Sequence, residues 1–465
     1  MNHQRAISKI LGISLILFIL QVVPTVTSAA EPAIQIGTFS VDITPELNQP
    51  IGMGFIPIPK TVEHPLLAKG ILLKQGDHAY VLCALDWMEV HNESYDFLRA
   101  EIAKTANTTA SCVALQCLHQ HTGPAIDSTA QKIQFPTKSP RQTASLKYEQ
   151  EVARKLQAAI KKTSQNLTTV THMGTSKSKV DRVASNRRIK QPDGSIKVRS
   201  SKSTDPDLQA APEGIIDPWL RTLSFYSQTK PLVQIHYYAT HPQSFYGDAR
   251  ISYDTVGIAR EQLQQKSNVF QVYFTGCGGN TAMGKYNNGS RKARDELTSR
   301  LMQAMDGSLD HIKRTPIEPL QWQTVDVNFP VRRAPEFLED RNRQILANEK
   351  SKYSQVIKAA INLAWIERAK RNETIEFSCL SFGKVKILHL PGEPFVEFQL
   401  AAQKRHPELS LFVAGYGDCG MSYIGTDVAY SDRGGYEQTW SFIDPSEALF
   451  LDSMSQLLTG KGKDH

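Results

Sequence analysis

Three segments far apart in the chain carry side chains that bind metal ions. They are His119-Gln120-His121-Thr122-Gly123-Pro124, Thr240-His241-Pro242 and Pro391-Gly392-Glu393-Pro394. Each closes a run of apolar and β-branched residues: Cys112 to Leu118, Leu232 to Ala239 and Val385 to Leu390. Imidazoles from two strand ends together with one carboxylate make the ligand set of an open catalytic zinc site, which keeps a coordination position for water. The chemistry this predicts is hydrolysis. Plainer readings exist for each residue alone. A histidine caps a loop by hydrogen bonding, and a carboxylate at Glu393 caps a helix starting near Phe395, where the helix dipole favours negative charge.

Two further loops have the composition of a site. Gly415 to Glu437 packs six glycines and four tyrosines into one polar stretch. Tyrosines there either pack with wet hydroxyls or supply a phenolate ligand and a donor to a developing oxyanion. Gly276-Cys277-Gly278-Gly279-Asn280-Thr281 follows the run Val269 to Phe274, and its glycines let backbone approach a ligand closely. Cys277 would need a neighbouring histidine to serve as a nucleophile, and the sequence places none beside it, so a structural or disulfide role is expected.

The elements that must position these groups are legible as alternating patterns. Ala79 to Leu85, Cys112 to Leu118, Leu232 to Ala239, Val269 to Phe274, Val385 to Leu390 and Leu409 to Ala414 read as buried strands that stop at Gly, Pro or polar clusters. Between them Tyr148, Val152, Leu156 and Ile160 recur every four residues as on a helix, Glu397 to Lys404 reads as a short helix, and Ala334 to Asn372 as one or two long ones. The fold class expected is α/β, a single large layered domain of mixed sheets flanked by helices with the active site at strand ends. His119 and His121, two apart on an extended chain, are expected to share a face. No internal repeat is visible, and the tail from Lys461 is expected to be disordered.

Gly174 to Pro212 stands out for basic residues, Arg187, Arg188, Arg199 and Lys202 among them, with few large apolar ones. It reads as a long loop or hairpin turning at Pro192-Asp193-Gly194, placed either as solvated surface or against substrate.

Bulk properties narrow the class. Met1 to Ala30 has the layout of a secretory signal, with Arg5 and Lys9 ahead of the apolar run Ile10 to Leu20 and small residues Ser28, Ala29 and Ala30 at the cleavage point. An exported domain over 31–465, periplasmic or secreted, is therefore expected. With 40% hydrophobic and 21% charged residues the composition is that of a globular enzyme, and a net charge of +7 is too weak over so large a surface to argue for nucleic acid. Six cysteines in an exported chain allow some pairing, but none forms a CxxC unit, so a cysteine zinc site is not expected.

Taken in order, the motifs resemble the catalytic domain of the neutral/alkaline non-lysosomal ceramidases, from Ile36-Gly37 and Val41-Asp42-Ile43-Thr44-Pro45 through Gly52-Met53-Gly54 to about Glu437. The family's HTHSGP appears as HQHTGP. The resemblance implies that His119, His241, Glu393 and Tyr423 hold Zn2+, and that His121, Arg187 of SNRR and Tyr436 of GYE act on the substrate. It implies an amide hydrolase using zinc-activated water on a small-molecule substrate such as an N-acyl lipid, with peripheral membrane contact. Two departures accompany it. Ala282, or Gly279 in another register, stands where the family's GDVSPN serine would be, and the C-terminal immunoglobulin-like domain is absent from this sequence. They favour, as alternatives, a polar substrate such as an acylated amino sugar, a glycoside or a lactone, or a non-catalytic zinc-containing binding protein.

Overall fold

The computed structural model describes residues 32–134, 146–245 and 247–465, and within it Ala33 to His465 packs as one unit. The signal segment expected at 1–30 lies outside the described residues. The architecture is mixed α/β, built on three five-stranded sheets.

All three sheets repeat one order. In the first, Ile34–Asp42, Leu67–Gln75 and His78–Leu85 run antiparallel, helix Asn92–Ala106 crosses over, and Val113–Cys117 returns parallel to His78–Leu85. The second repeats this with His172–Lys179, Trp219–Ser227, Lys230–Tyr238, helix Asp254–Ser267 and parallel strand Phe270–Thr275. The third does so with Leu320–Val327, Ile375–Phe382, Val385–His389, helix Val396–Arg405 and parallel strand Ser410–Ala414. The repeat that the sequence does not display is thus present in the topology. Residue identity drifts freely as long as strand direction and burial persist.

Both faces of the central strands are covered, which is why they read as continuous apolar runs rather than alternating ones. Ile71, Leu73, Leu82 and Ala84 face a core shared with Leu223, Ile235, Tyr237, Leu380, Ile387 and Phe412 of the other sheets. Leu72, Val81, Cys83 and Leu85 point the other way, onto Leu98 and Ile102 of helix Asn92–Ala106 and Val152, Leu156 and Ile160 of helix Leu146–Ser164. Each such side chain removed from water contributes roughly 1.5–3 kcal/mol.

The three parallel edge strands meet at their C-terminal ends. Thr275 Oγ1 donates to Leu118 O at 2.7 Å, Gly415 N to Thr275 O at 2.9 Å, and Cys117 N to Tyr416 O at 2.8 Å. The buried Gln116 amide clamps the junction, donating to the carbonyls of Leu390, Ala414 and Gly415.

Three expectations are corrected here. Gly174 to Pro212 does hold the hairpin read from the sequence, turning at Pro192-Asp193-Gly194, but the stretch as a whole is not one loop. Its first residues belong to strand His172–Lys179, whose exposed positions are Lys177 and Lys179, and the rest forms hairpin Arg188–Lys190/Ile196–Val198 and helix Pro206–Ala210. The C-terminal tail is ordered, because Lys463–Asp464 pairs with Leu320–Val327 and His465 O accepts from Tyr80; backbone pairing needs no apolar side chains. All six cysteines are buried and unpaired. Among the described residues no helix is long and apolar enough to cross a membrane.

Candidate metal centre and catalytic pocket

Every residue singled out for chemistry follows the C-terminal end of one of the two parallel strands in a sheet, except Arg187 and Tyr436. His119 and His121 come after Val113–Cys117, His241 after Lys230–Tyr238, Glu393 after Val385–His389 and Tyr423 after Ser410–Ala414. Two-residue bridges lock these loops together. Glu393–Pro394 pairs with Tyr423–Ile424, Ser185–Asn186 with Thr281–Ala282, and His241 bridges to Ala282.

The two histidines of HQH do not share a face by strand alternation. The strand stops at Cys117 and His119 itself takes a left-handed backbone, φ 64°, a conformation that costs energy at a non-glycine residue and gathers at functional sites. Gln120 secures the turn: its side chain donates to Asp86 O at 2.6 Å and accepts from Thr122 N at 2.8 Å. A Cβ at Gly123 would lie 2.3 Å from Gln120 Nε2 and 3.0 Å from Asp86 O, so a larger residue there would push the Gln120 side chain off the turn. The turn sets the rings of His119 and His121 edge to face, with centroids 4.7 Å apart.

The donor atoms converge. Glu393 Oε2 lies 3.0 Å from His119 Nε2 and 3.1 Å from His241 Nε2, and His121 Nε2 lies 3.2 Å from His119 Nε2. His119 Nδ1 faces Met88 O at 3.1 Å, and His241 Nδ1 faces Gly278 O at 2.7 Å. A carbonyl only accepts, so Nδ1 carries the proton in both rings and each Nε2 lone pair is aimed at a carboxylate oxygen. Lone pairs facing an acceptor repel unless a cation lies among them. Donors about 2.0–2.1 Å from a common ion lie roughly 3.3 Å apart, close to these separations, so the residues fit a metal ion.

Electrostatics agree with that fit. Burial, reinforced by Arg187 and His119, lowers His241 to about 3, and burial with the neighbouring imidazoles holds His121 well below the ordinary histidine value.

Arg187 and Tyr436 complete the pocket. Arg187, 2% exposed, donates to Tyr436, to Tyr423 at 3.2 Å, to Gly279 O at 3.3 Å and to Gln243 at 3.0 Å. Burial opposes its charge, but Tyr436, Tyr423 and Glu437 hold its pKa above the ordinary arginine value. Burial also pushes the phenols of Tyr423 and Tyr436 upward. Gly278 and Gly279 thus serve through carbonyls that orient His241 and Arg187, while Gly279 N–H donates to Pro394 O at 2.9 Å. Neither Cys277 nor Ala282 lines the pocket.

Sequence reasoning missed two residues at this centre. Tyr416, fully buried with φ 61°, stacks on His119 at 4.4 Å, and its hydroxyl reaches His241 Nδ1 at 3.5 Å. Glu89, 1% exposed, follows strand His78–Leu85, and burial together with Glu393 pushes its carboxyl upward. Position after a buried strand was the available signal for both.

Above these groups lies a cavity of about 590 Å³, a size suited to a small molecule. Met53, Phe55, Met88 and Trp440 make its apolar wall, with Phe55 and Trp440 packed edge to face at 5.7 Å. Ser200, Ser201 and Lys202, from the basic stretch, add a polar one. That segment is built rather than loose. Arg199, 1% exposed, donates to the carbonyls of Asn186, Leu208, Ala211, Pro212 and Glu213, and Asn287 holds Ser201 O at 2.9 Å.

No protein-family model matches the chain, and neither does any curated protein. Its fold is that of neutral ceramidase. The crystal structure of neutral ceramidase from Pseudomonas aeruginosa aligns with a TM-score of 0.67 and 15% identity over 92% of this chain and 75% of that one. A ceramidase complexed with C2 aligns with a TM-score of 0.65 and 14% identity over 92% and 76%.

Proposed function

We propose that this chain is an exported zinc-dependent hydrolase that cleaves the amide bond of an N-acyl compound. The observation that carries the reading is the convergence of the His119 and His241 lone pairs on Glu393 beneath a small-molecule cavity. The ceramidase fold supports the choice of an amide. His119, His241 and Glu393 would hold the ion, with Tyr423 beside them. Bound there, zinc would supply a Lewis acid and an activated water.

The protein's own groups do the rest. Arg187 and Tyr436 form a buried donor pair for the oxygen of a carbonyl under attack, in surroundings where such donors act strongly because water is excluded. His121 is 8% exposed whereas His119 and His241 are fully buried, so it is the imidazole placed to hold a proton at the leaving nitrogen. The apolar wall suits an acyl chain.

A second reading is favoured by Ser200, Ser201 and Lys202: a substrate with a polar or anionic head, such as an acylated amino sugar, in place of a sphingoid base. Metal analysis of the purified protein with a hydrolysis screen over N-acyl sphingoid bases, N-acyl sugars and esters tests both. Zinc with turnover of the first class supports the ceramidase-like reading; zinc with turnover of the second only moves the assignment to the polar substrate. A protein without metal, or one equally active after chelation, overturns both.

A further inference from the structure

Glu89 is a carboxylate at the metal centre that neither the sequence motifs nor the family resemblance marks. It sits in the two-residue strand Glu89–Val90, paired parallel with Ala125–Ile126, and its neighbour Val90 bridges to Asp418 on the other side. Its Oε2 lies 3.1 Å from Nε2 of His91, itself 1% exposed. That contact turns Oε1 toward the ring of His119, whose Nδ1 is 3.6 Å away. Met88 O accepts from that nitrogen at 3.1 Å, so the ring backs onto a carbonyl that takes its proton and, just beyond hydrogen-bond reach, a carboxylate from the next residue.

A second observation points the same way. Glu89, His119 and Glu393 each offer a ligand atom within 4.8 Å of the others, and Glu89 lines the same cavity as Glu393. Two carboxylates this close and this buried oppose one another's ionisation. A divalent cation beside them removes the conflict. His91 compensates one carboxylate alone, and Arg187 makes no ion pair with either.

We propose that Glu89, clamped by His91, is a positioning residue of the metal centre: it backs the His119 ring together with Met88 O and adds the second negative charge that strengthens binding of the ion. Carboxylates behind a ligating imidazole raise its basicity and lock its orientation, and their loss typically weakens metal binding about 10–100-fold. The inference rests on the proposed zinc site.

The test is equilibrium zinc binding to metal-stripped full-length protein, by competition with a chelating dye, for wild type, Glu89→Gln and His91→Gln. Glu89→Gln keeps shape and removes charge, and a loss of zinc affinity of about 10–100-fold is expected. His91→Gln, which frees the Glu89 side chain, is expected to lose less. Raising zinc by the same factor should restore full occupancy in both, with circular dichroism of the metal-free proteins unchanged. Zinc affinity of Glu89→Gln within twofold of wild type overturns the inference alone. Wild type that binds no zinc overturns the site and the inference together. Should Glu89→Gln fail to fold, His91→Gln decides, and unchanged affinity there also overturns it.

Discussion

Arg187 donates to the hydroxyl of Tyr423 at 3.2 Å, and among the described residues its guanidinium has no carboxylate partner. A buried cation surrounded by neutral oxygens gains from any negative charge that develops beside it. Arg187→Ala is therefore expected to lower turnover about 10²–10³-fold with zinc retained. Arg187→Lys should not restore it, since a single ammonium cannot reach Tyr423, Tyr436 and Gln243 together. Steady-state kinetics with metal analysis check this; loss of metal would show that Arg187 holds the ion's cage rather than the substrate.

His119→Ala and His241→Ala each remove one lone pair from the cluster around Glu393. Both are expected to abolish zinc content and turnover together. A variant that is fully active without metal would remove the basis of the hydrolytic reading.

Gly279 packs under the carboxylate loop. A Cβ there would lie 2.4 Å from Glu393 O and 3.0 Å from Pro394 O, both backbone atoms that cannot swing aside. Gly279→Ala should displace Glu393 and weaken zinc binding at least as much as a disturbed supporting shell does, about 10-fold or more, while circular dichroism stays close to wild type. Unchanged zinc affinity would mean that the loop relaxes freely.

Asp86 and Arg260 form a bidentate ion pair at 2.7 and 2.9 Å, both fully buried, directly beneath the Gln120 turn. Removing the Asp86 charge leaves the buried Arg260 only Glu261 at 2.8 Å, a carboxylate it shares with Lys69, so Asp86→Asn should destabilise the protein by about 3 kcal/mol in urea unfolding. Asp86→Leu combined with Arg260→Met should recover most of that loss. If the double variant is as unstable as the single one, the charges themselves matter to the turn.

Two neutral histidines away from the site predict an acid-sensitive fold. Burial lowers His236 to about 4, where it bridges Thr222 and Gln271, and lowers His389 to about 3, where it stacks on Trp322. Above the unfolded value of about 6.5 their contribution is fully present. As pH falls below that, the unfolded chain takes up protons the folded one refuses, and each residue costs stability at about 1.4 kcal/mol per pH unit until its folded pKa is reached. His389→Phe should flatten this acid limb by one residue's share between pH 6.5 and 4 in urea titrations. An unchanged slope would mean His389 is protonated in the native state.

Much of this cluster was legible because its histidines and Glu393 follow buried strands, and runs such as Val385 to Leu390 announce themselves by continuous apolar character. Arg187 and Tyr436 follow no such strand and were reached only through their motifs. Glu89 stayed hidden in Trp87-Met88-Glu89-Val90, where its place just after the buried strand His78–Leu85 was the available signal but no motif surrounds it. The pairing of the two histidines was anticipated, but for the wrong local reason, since a left-handed backbone at His119 is not readable from residue type. The threefold order of the sheets left no trace in residue identity because strand direction and burial tolerate almost any apolar side chain.

That threefold order has a consequence for assembly. His119 belongs to the first unit, His241 to the second and Glu393 to the third, so no fragment missing one unit retains a complete cage. Ion uptake should report on the last stage of folding, when the three units have closed, and proteolytic nicking that detaches any one of them should release the ion in a single step.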